Sequence, residues 1–95
     1  MDTTLIDDAA FSDRYLVEQS LAGNPTAFGL LVKRHQSLVC GIALGACGDL
    51  HRSEDLAQEA FVAAWTKLRE LREPEKFKSW ICSIVRNVSG TRGTY

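Results

Sequence analysis

The feature that most constrains the fold is the helical spacing of apolar residues between positions 53 and 71. These residues recur at steps of three and four: Ala57, Phe61, Ala64, Leu68 and Leu71. Such spacing places them on one side of an α-helix, and that side has to be buried. We therefore predict a central helix whose apolar stripe faces a core.

A second row of residues follows the same predicted helix. It contains Asp55, Gln58, Glu59, Val62 and Thr66, with Trp65 at the border between the row and the stripe. A mostly polar row is most often a solvated surface, although a docking face has the same pattern. Both interpretations stay open from the spacing alone.

Similar spacing predicts two helices before the central one. The first is expected to be capped by residue 12 or 13 and to end at Gly23. The second is expected to use Asn24 as its cap and Pro25 as its first residue, and to end near Gly48. Both helices are amphipathic in pattern and would pack on the central helix.

A turn at residues 49–52 is expected before the central helix. Asp49 or Ser53 is the predicted N-cap. Glu54 and Asp55 would then lie in the first turn, where the helix dipole favours negative charge.

Pro74 is expected to end the central helix and to begin a fourth one. The apolar side of this fourth helix would contain Phe77, Trp80, Ile81, Ile84, Val85 and Val88. No repeat or strand pattern appears, so the predicted fold class is all-α, a compact bundle of about four helices. The bundle is expected to occupy residues 12–89, with loose tails at residues 1–11 and 90–95.

Two glycines in the second helix call for an explanation, since each costs roughly 1 kcal/mol relative to alanine. We expect Gly41 and Gly45, together with Ala43 and Ala46, to let a neighbouring helix approach closely. Such packing would offset the cost.

The net charge of −1 is unevenly divided along the chain. Residues 1–66 hold four Lys and Arg against nine Asp and Glu, whereas residues 67–95 hold seven against three. A basic segment is where a nucleic acid would bind, and the acidic segment would repel it. Scattered cations that only solubilise a surface are the alternative.

Several function classes find no support in the sequence. The longest apolar run is about half the ~20 residues that a membrane span needs, and the acidic N-terminus is unlike a signal peptide, so we expect a cytoplasmic protein. Phosphate-binding loops and hydrolase motifs are absent from the sequence, so no enzyme activity and no cofactor is expected. Trp65 and Trp80 are expected to be core anchors.

The cysteines and histidines do not form a recognisable site. Cys40, Cys47 and Cys82 lack a pairing pattern, which predicts free thiols and no metal site. His35 is interpreted as a helix-surface or packing residue and His51 as a turn residue, because neither has a partner at a catalytic spacing.

Two runs of sequence resemble region two of bacterial sigma factors, closest to the extracytoplasmic-function (ECF) group. They are EDLAQEAFVAAW at residues 54–65 and FKSWICSIVRN at residues 77–87. The resemblance covers about residues 15–87. It implies a cytoplasmic domain that binds core RNA polymerase and recognises and melts the promoter −10 element.

The resemblance also implies which residues contact each partner. The clamp helices of the largest polymerase subunit would contact Asp55, Gln58, Glu59, Phe61, Val62 and Trp65. The stripe position of Phe61 leaves a core role open for that residue.

Promoter DNA would be contacted through the basic third of the chain. By resemblance, the non-template strand would meet Arg69, Glu70, Leu71, Arg72, Lys76, Lys78, Arg86 and Asn87. The turn at residues 69–72 and Asn87 would form a pocket for a flipped base, and Lys67 extends the basic cluster. Asn87 is equally suited to capping helix carbonyls. Leu71 replaces an aromatic residue found in many relatives, which implies weaker base capture.

Two alternatives remain. One is an interaction module that binds polymerase or an anti-sigma protein without using promoter DNA. The other is a thiol- or metal-dependent sensor built from Cys40, Cys47 and His35. The domain that reads the −35 element is absent from the sequence, so we expect an excised piece or a natural truncation of a sigma factor.

Overall fold

The computed structural model describes residues 11–93, with side chains described as far as residue 89. Four α-helices make up most of this part: α1 Asp13–Leu21, α2 Pro25–Cys47, α3 Leu50–Lys67 and α4 Phe77–Gly93. Two short 3-10 segments, Leu68–Glu70 and Pro74–Lys76, connect α3 to α4. Residues 11–93 contain no strand, which confirms the predicted all-α bundle. None of these helices is long and apolar enough to cross a membrane.

The ends of α1 and α2 follow local sequence signals. The Ser12 hydroxyl oxygen accepts a hydrogen bond from the Tyr15 N–H at 3.1 Å, as an N-cap does. The Asn24 side chain likewise accepts from the N–H groups two and three residues ahead. Gly23 and Gly48 follow the two helices with φ values of 102° and 72°, a left-handed backbone that glycine adopts at little cost.

Helix α3 begins at Leu50, which confirms the first of the two predicted N-caps, Asp49 or Ser53, although residues 50–52 were expected in a turn. Asp49 is the cap, and its carboxylate accepts a hydrogen bond from the Arg52 N–H at 3.2 Å. Glu54 and Asp55 therefore lie in the second turn of α3 and not in the first. The expected stabilisation of these two carboxylates by the first-turn dipole is accordingly wrong, because the effect fades beyond that turn.

The core lies where α1, α2, α3 and α4 meet. Its fully buried side chains include Val17, Leu31, Val39, Ala43, Ala60, Ala64, Phe77, Ile81 and Val85. The predicted apolar stripe is confirmed for Ala57, Phe61 and Ala64 on α3 and for Leu68 on the first 3-10 segment, since all four are buried. Leu71 is half-buried in the turn.

The predicted close approach of a helix to Gly41 and Gly45 is wrong. A Cβ added at either glycine would meet nothing within 4 Å. Helix α2 packs through its opposite side instead, where Val39 and Ala43 are fully buried, and Ala46 is exposed with the glycines. The cost of the glycines is therefore not offset by packing within the described part of the chain.

The predicted end of the fourth helix is too early. Helix α4 continues to Gly93, although residues 90–95 were expected to form a tail. A helix needs no apolar side to continue for a turn, so the loss of periodicity did not mark its end. The predicted N-terminal tail lies outside the described residues except for Phe11, whose ring stacks on Tyr15 with centroids 4.9 Å apart.

Asp13 connects α1 to α2. One carboxylate oxygen accepts a hydrogen bond from Arg34 Nη1 at 2.9 Å, and the other lies 2.9 Å from His35 Nε2. His35 is buried, with its ring centroid 5.5 Å from that of Phe77, and is therefore a packing residue. His51, predicted to lie in a turn, is instead an exposed residue in the first turn of α3.

Candidate functional site

One exposed side of α3 carries four of the predicted binding residues, and we call it the acidic row. It consists of Asp55, Gln58, Glu59 and Val62, all of which are exposed. Val62 is 59% exposed, which is high for an apolar side chain. At a helical rise of about 1.5 Å per residue, the row is ~10 Å long. It can offer two carboxylates, an amide and an apolar contact to a partner.

A groove of about 290 Å³ runs beside the acidic row, between α2 and α3. It is lined by Val32, Gln36, Cys40, Glu54, Ala57, Gln58 and Phe61. Gln58 belongs both to the row and to the groove. Of the three residues from α2, Val32 and Gln36 were not predicted as site residues, and Cys40 was named only for the alternative sensor. Their four-residue spacing is the only sequence signal that links them.

The two aromatic residues predicted for this surface lie in different environments. Phe61 is 7% exposed and belongs to the core, so it contributes little beyond the groove wall. Trp65 is 43% exposed, so its predicted role as a core anchor is wrong. Its ring makes an edge-to-face contact with Phe28, and the ring centroids are 4.9 Å apart. Trp80, in contrast, is partly buried against the core.

The groove between α2 and α3 contains the thiol of Cys40. Burial raises the pKa of Cys40 above its ordinary value of 9.0, and the negative charge of Glu54 raises that pKa further. A thiol of this kind is a poor nucleophile at neutral pH. Among the described side chains no group of three or more His, Cys, Asp or Glu could hold a metal ion, so Cys40, Cys47 and His35 are not brought together.

The cations predicted to contact DNA lie at the end of α3, on the two 3-10 segments, in the turn between these segments, and on α4. We call Lys67, Arg69, Arg72, Lys76, Lys78 and Arg86 the basic surface, and every one of these residues is exposed. Lys76 Nζ lies 3.2 Å from the Glu73 carboxylate, and both side chains are mostly exposed. Such a pair contributes little to stability, so Lys76 can exchange it for a phosphate.

A cavity of about 260 Å³ opens between this turn and α4, and we call it the turn cavity. It is lined by Leu71, Arg72, Glu73, Lys76, Ser79, Trp80 and Ser83. Two cations, one carboxylate, two hydroxyl groups, an indole and a leucine side chain therefore line an open space of the size of a small planar ligand. Ser79, Trp80 and Ser83 were missed as site residues, although their three- and four-residue steps from Lys76 place all of them on one side of a helix.

The structure brings together only part of the predicted base pocket. Leu71 and Arg72 line the turn cavity, whereas Arg69 lines a different groove and Glu70 is exposed on the 3-10 segment. Asn87 is also exposed and lies one helical turn beyond Ser83, outside the lining of the cavity.

Comparison with known proteins gives a consistent picture. The sequence pattern of the sigma-70 region 2 family matches residues 31–91. The probable RNA polymerase sigma factor RfaY of Xanthomonas campestris pv. campestris is 43% identical over 68 residues, which cover 72% of this chain and 17% of that protein. The RNA polymerase sigma-H factor of Pseudomonas aeruginosa is 34% identical over 77 residues, covering 81% of this chain and 40% of that protein.

An ECF protein is also similar. The ECF RNA polymerase sigma-E factor of Haemophilus influenzae is 32% identical over 78 residues, covering 82% of this chain and 41% of that protein. The chain thus spans about two fifths of the length of the Pseudomonas and Haemophilus relatives and 17% of the length of the Xanthomonas relative. No solved structure gives a significant match.

Proposed function

The chain belongs to the sigma-70 region 2 family and resembles its ECF members, and from this premise we propose that it acts as an RNA polymerase sigma factor domain. In this proposal α3 binds core RNA polymerase, while α4 and the turn before it hold the non-template strand of the promoter −10 element. The observation that supports the proposal most directly is the turn cavity, whose lining includes Arg72, Lys76 and two serine hydroxyl groups, with Glu73 as its one carboxylate. A domain with this role acts in the cytoplasm.

The acidic row is suited to a helical protein partner such as the clamp helices of the largest polymerase subunit. Asp55 and Glu59 carry carboxylates that match the two-pronged guanidinium group of an arginine. Val62 adds exposed apolar area at the end of the row, and burying it would favour binding. The groove beside the row widens this surface toward α2, so Gln36 is a further candidate for contact.

The basic surface is suited to the phosphates of a single strand. Arg72 and Lys76 both line the turn cavity, so a base bound there would have its phosphate near these cations. Ser79 and Ser83 offer hydroxyl groups that donate to or accept from a base edge. Leu71 gives apolar contact without stacking, and we propose that Asn87 contacts the strand one step beyond the cavity.

Melting a promoter by this domain requires no catalytic residue. Taking a base out of a duplex costs a few kcal/mol, and binding the extruded base in the cavity offsets that cost. Because the domain would bind only the open strand, binding shifts the equilibrium between closed and open DNA.

The proposal is tested in two steps with the same preparation of core RNA polymerase. The first step measures the affinity of the chain for core, and the second measures the affinity of the complex for single-stranded oligonucleotides with varied −10 sequences. Gln58→Ala should weaken core binding about tenfold or more, whereas Arg72→Ala should weaken only strand binding. Glu18→Ala and Arg14→Ala on α1 are matched controls and should change neither affinity.

An interaction module remains the second candidate. It would bind polymerase or an anti-sigma protein through the acidic row without using promoter DNA. The position of Asn87 outside the turn cavity favours it, since a base in the cavity then lacks the amide that the resemblance implies. Tight core binding without any sequence preference for the strand would support this candidate against the proposed function.

A further inference from the structure

Trp65 is a large aromatic side chain that the fold holds in place without burying it. Although 43% of the residue is exposed, its ring is fixed by an edge-to-face contact with the buried ring of Phe28. A ring that is already fixed loses little conformational freedom when a ligand covers it. The exposed part of the Trp65 ring is therefore preorganised to contact a ligand, since no residue in the described part of the chain covers it.

Trp65 lines a groove of about 480 Å³, which we call the Trp65 groove. The groove is formed where the end of α1, the start of α2 and the end of α3 meet the first 3-10 segment. Its lining consists of Ser20, Leu21, Gly23, Pro25, Trp65, Thr66, Leu68 and Arg69.

The polar groups of this groove favour an anionic ligand with a flat apolar part. Arg69 is exposed and supplies a cation with several N–H donors. The hydroxyl of Thr66 donates to the Ala63 carbonyl at 2.9 Å, which leaves its oxygen as an acceptor. An aromatic surface, a guanidinium group and an acceptor together match a nucleotide, in which a planar base is joined to a phosphate.

The Trp65 groove and the turn cavity take lining residues from neighbouring positions of the chain, where α3 leads into the turn. Arg69 lines the first and Leu71 begins the second, so two residues along the chain separate them. Each contains one tryptophan and one arginine: Trp65 and Arg69 in the groove, Trp80 and Arg72 in the cavity. A single strand that crosses this turn would meet both pairs in succession.

We propose that the Trp65 groove is a second nucleotide-binding subsite, which takes a base adjacent to the one held in the turn cavity. This inference rests on the proposed function, because both subsites bind the same strand of promoter DNA. Stacking on an indole accepts any base, since every base has an aromatic face. The groove therefore adds affinity, while the choice among base sequences remains with the turn cavity.

The test uses the chain bound to core RNA polymerase and single-stranded oligonucleotides. Trp65→Leu keeps an apolar contact for Phe28 but removes the stacking surface, so strand affinity should fall about tenfold for every base sequence. Trp65→Phe keeps a ring and should recover most of that loss. Tyr15→Leu is the matched control, because Tyr15 is also 43% exposed and lies on α1 outside both sites.

Photo-crosslinking locates the bound base in the same complexes. Oligonucleotides carry 5-iodouracil at one position at a time, and mass spectrometry identifies the crosslinked residue. Crosslinks to Trp65 are expected from a position next to the one that crosslinks to the turn cavity. If Trp65→Leu does not fold, crosslinking of the wild type and the affinity of Trp65→Phe still decide the question.

Three results would overturn the inference while leaving the proposed function intact. They are an unchanged strand affinity in Trp65→Leu, crosslinks in the turn cavity without any to Trp65, and a loss of core affinity in Trp65→Leu. The last result would assign Trp65 to the polymerase surface. If the wild-type complex binds no strand at all, the proposed function fails and this inference fails with it.

Discussion

The acidic row and the basic surface differ in the backbone that supports them. The row lies on one continuous helix, Leu50–Lys67, whereas much of the basic surface lies on two 3-10 segments and the turn that joins them. A straight helix presents its side chains in a line, and the groove beside the acidic row runs between α2 and α3, so this surface suits a long protein partner. The turn packs beside α4 and leaves an open depression between them, which suits a single small group such as one base.

The two surfaces nevertheless depend on the same core. Phe77 is fully buried and begins α4 directly after the second 3-10 segment. Its ring lies 6.4 Å from that of Phe28 and 5.9 Å from that of Trp80, measured between centroids. A substitution of Phe77 should therefore weaken binding at both surfaces, whereas a substitution on one surface should weaken binding at that surface alone.

The largest effect is expected from Phe77→Ala. Removing a fully buried ring should lower the free energy of unfolding by about 3–5 kcal/mol, which is much of the stability of a small domain. Urea denaturation followed by circular dichroism measures the change. Val62→Ala on the exposed row is the control and should stay within about 0.5 kcal/mol. Retention of polymerase binding after loss of strand binding would contradict the shared core.

A smaller loss is expected from Asp13→Asn. The change removes the negative charge that faces Arg34 and His35 and should cost about 1–3 kcal/mol in the free energy of unfolding. Glu18→Gln affects only the exposed pair with Arg14 and should cost about 0.5 kcal/mol or less. An equal decrease in the free energy of unfolding in the two variants would mean that the Asp13 contacts between α1 and α2 stabilise the fold no more than an exposed ion pair does.

A local effect on the basic surface is expected from Arg72→Gln. Strand affinity of the polymerase complex should fall about tenfold, and the slope of log affinity against log salt should become shallower by about 0.7. Core affinity should stay the same, because Arg72 lies outside the acidic row. Arg14→Gln on α1 is the control for loss of a positive charge. A salt slope that matches wild type would show that Arg72 does not contact a phosphate.

The smallest effect is expected at the thiol beside the acidic row. Glu54 raises the pKa of Cys40, so Glu54→Gln should lower that pKa toward its ordinary value and increase the thiolate fraction. Alkylation of Cys40 by iodoacetamide near pH 8, followed by mass spectrometry, should become faster. Glu18→Gln should leave the rate unchanged. A slower rate in Glu54→Gln would contradict the assigned direction.

Sequence reasoning succeeded where the deciding interaction is local. Asn24 caps α2 through N–H groups two and three residues ahead, and Gly48 ends it through its own backbone, so both could be predicted from neighbours in the chain. Gly41 and Trp65 were interpreted wrongly because their environments depend on which helix lies opposite. The turn cavity was predicted in part, since Ser83 joins it only through the packing of α4 against the turn.

The contact between Asp13 and α2 has a consequence for how the chain folds during synthesis. Asp13 is separated from Arg34 by 21 positions and from His35 by 22, so the chain segment that must close into a loop is short and the entropic cost of closing it is modest. Helical hairpins with such local contacts form quickly. The α1 and α2 pair can therefore assemble before α4 has emerged from the ribosome, and it offers the later helices a partly built surface on which to pack.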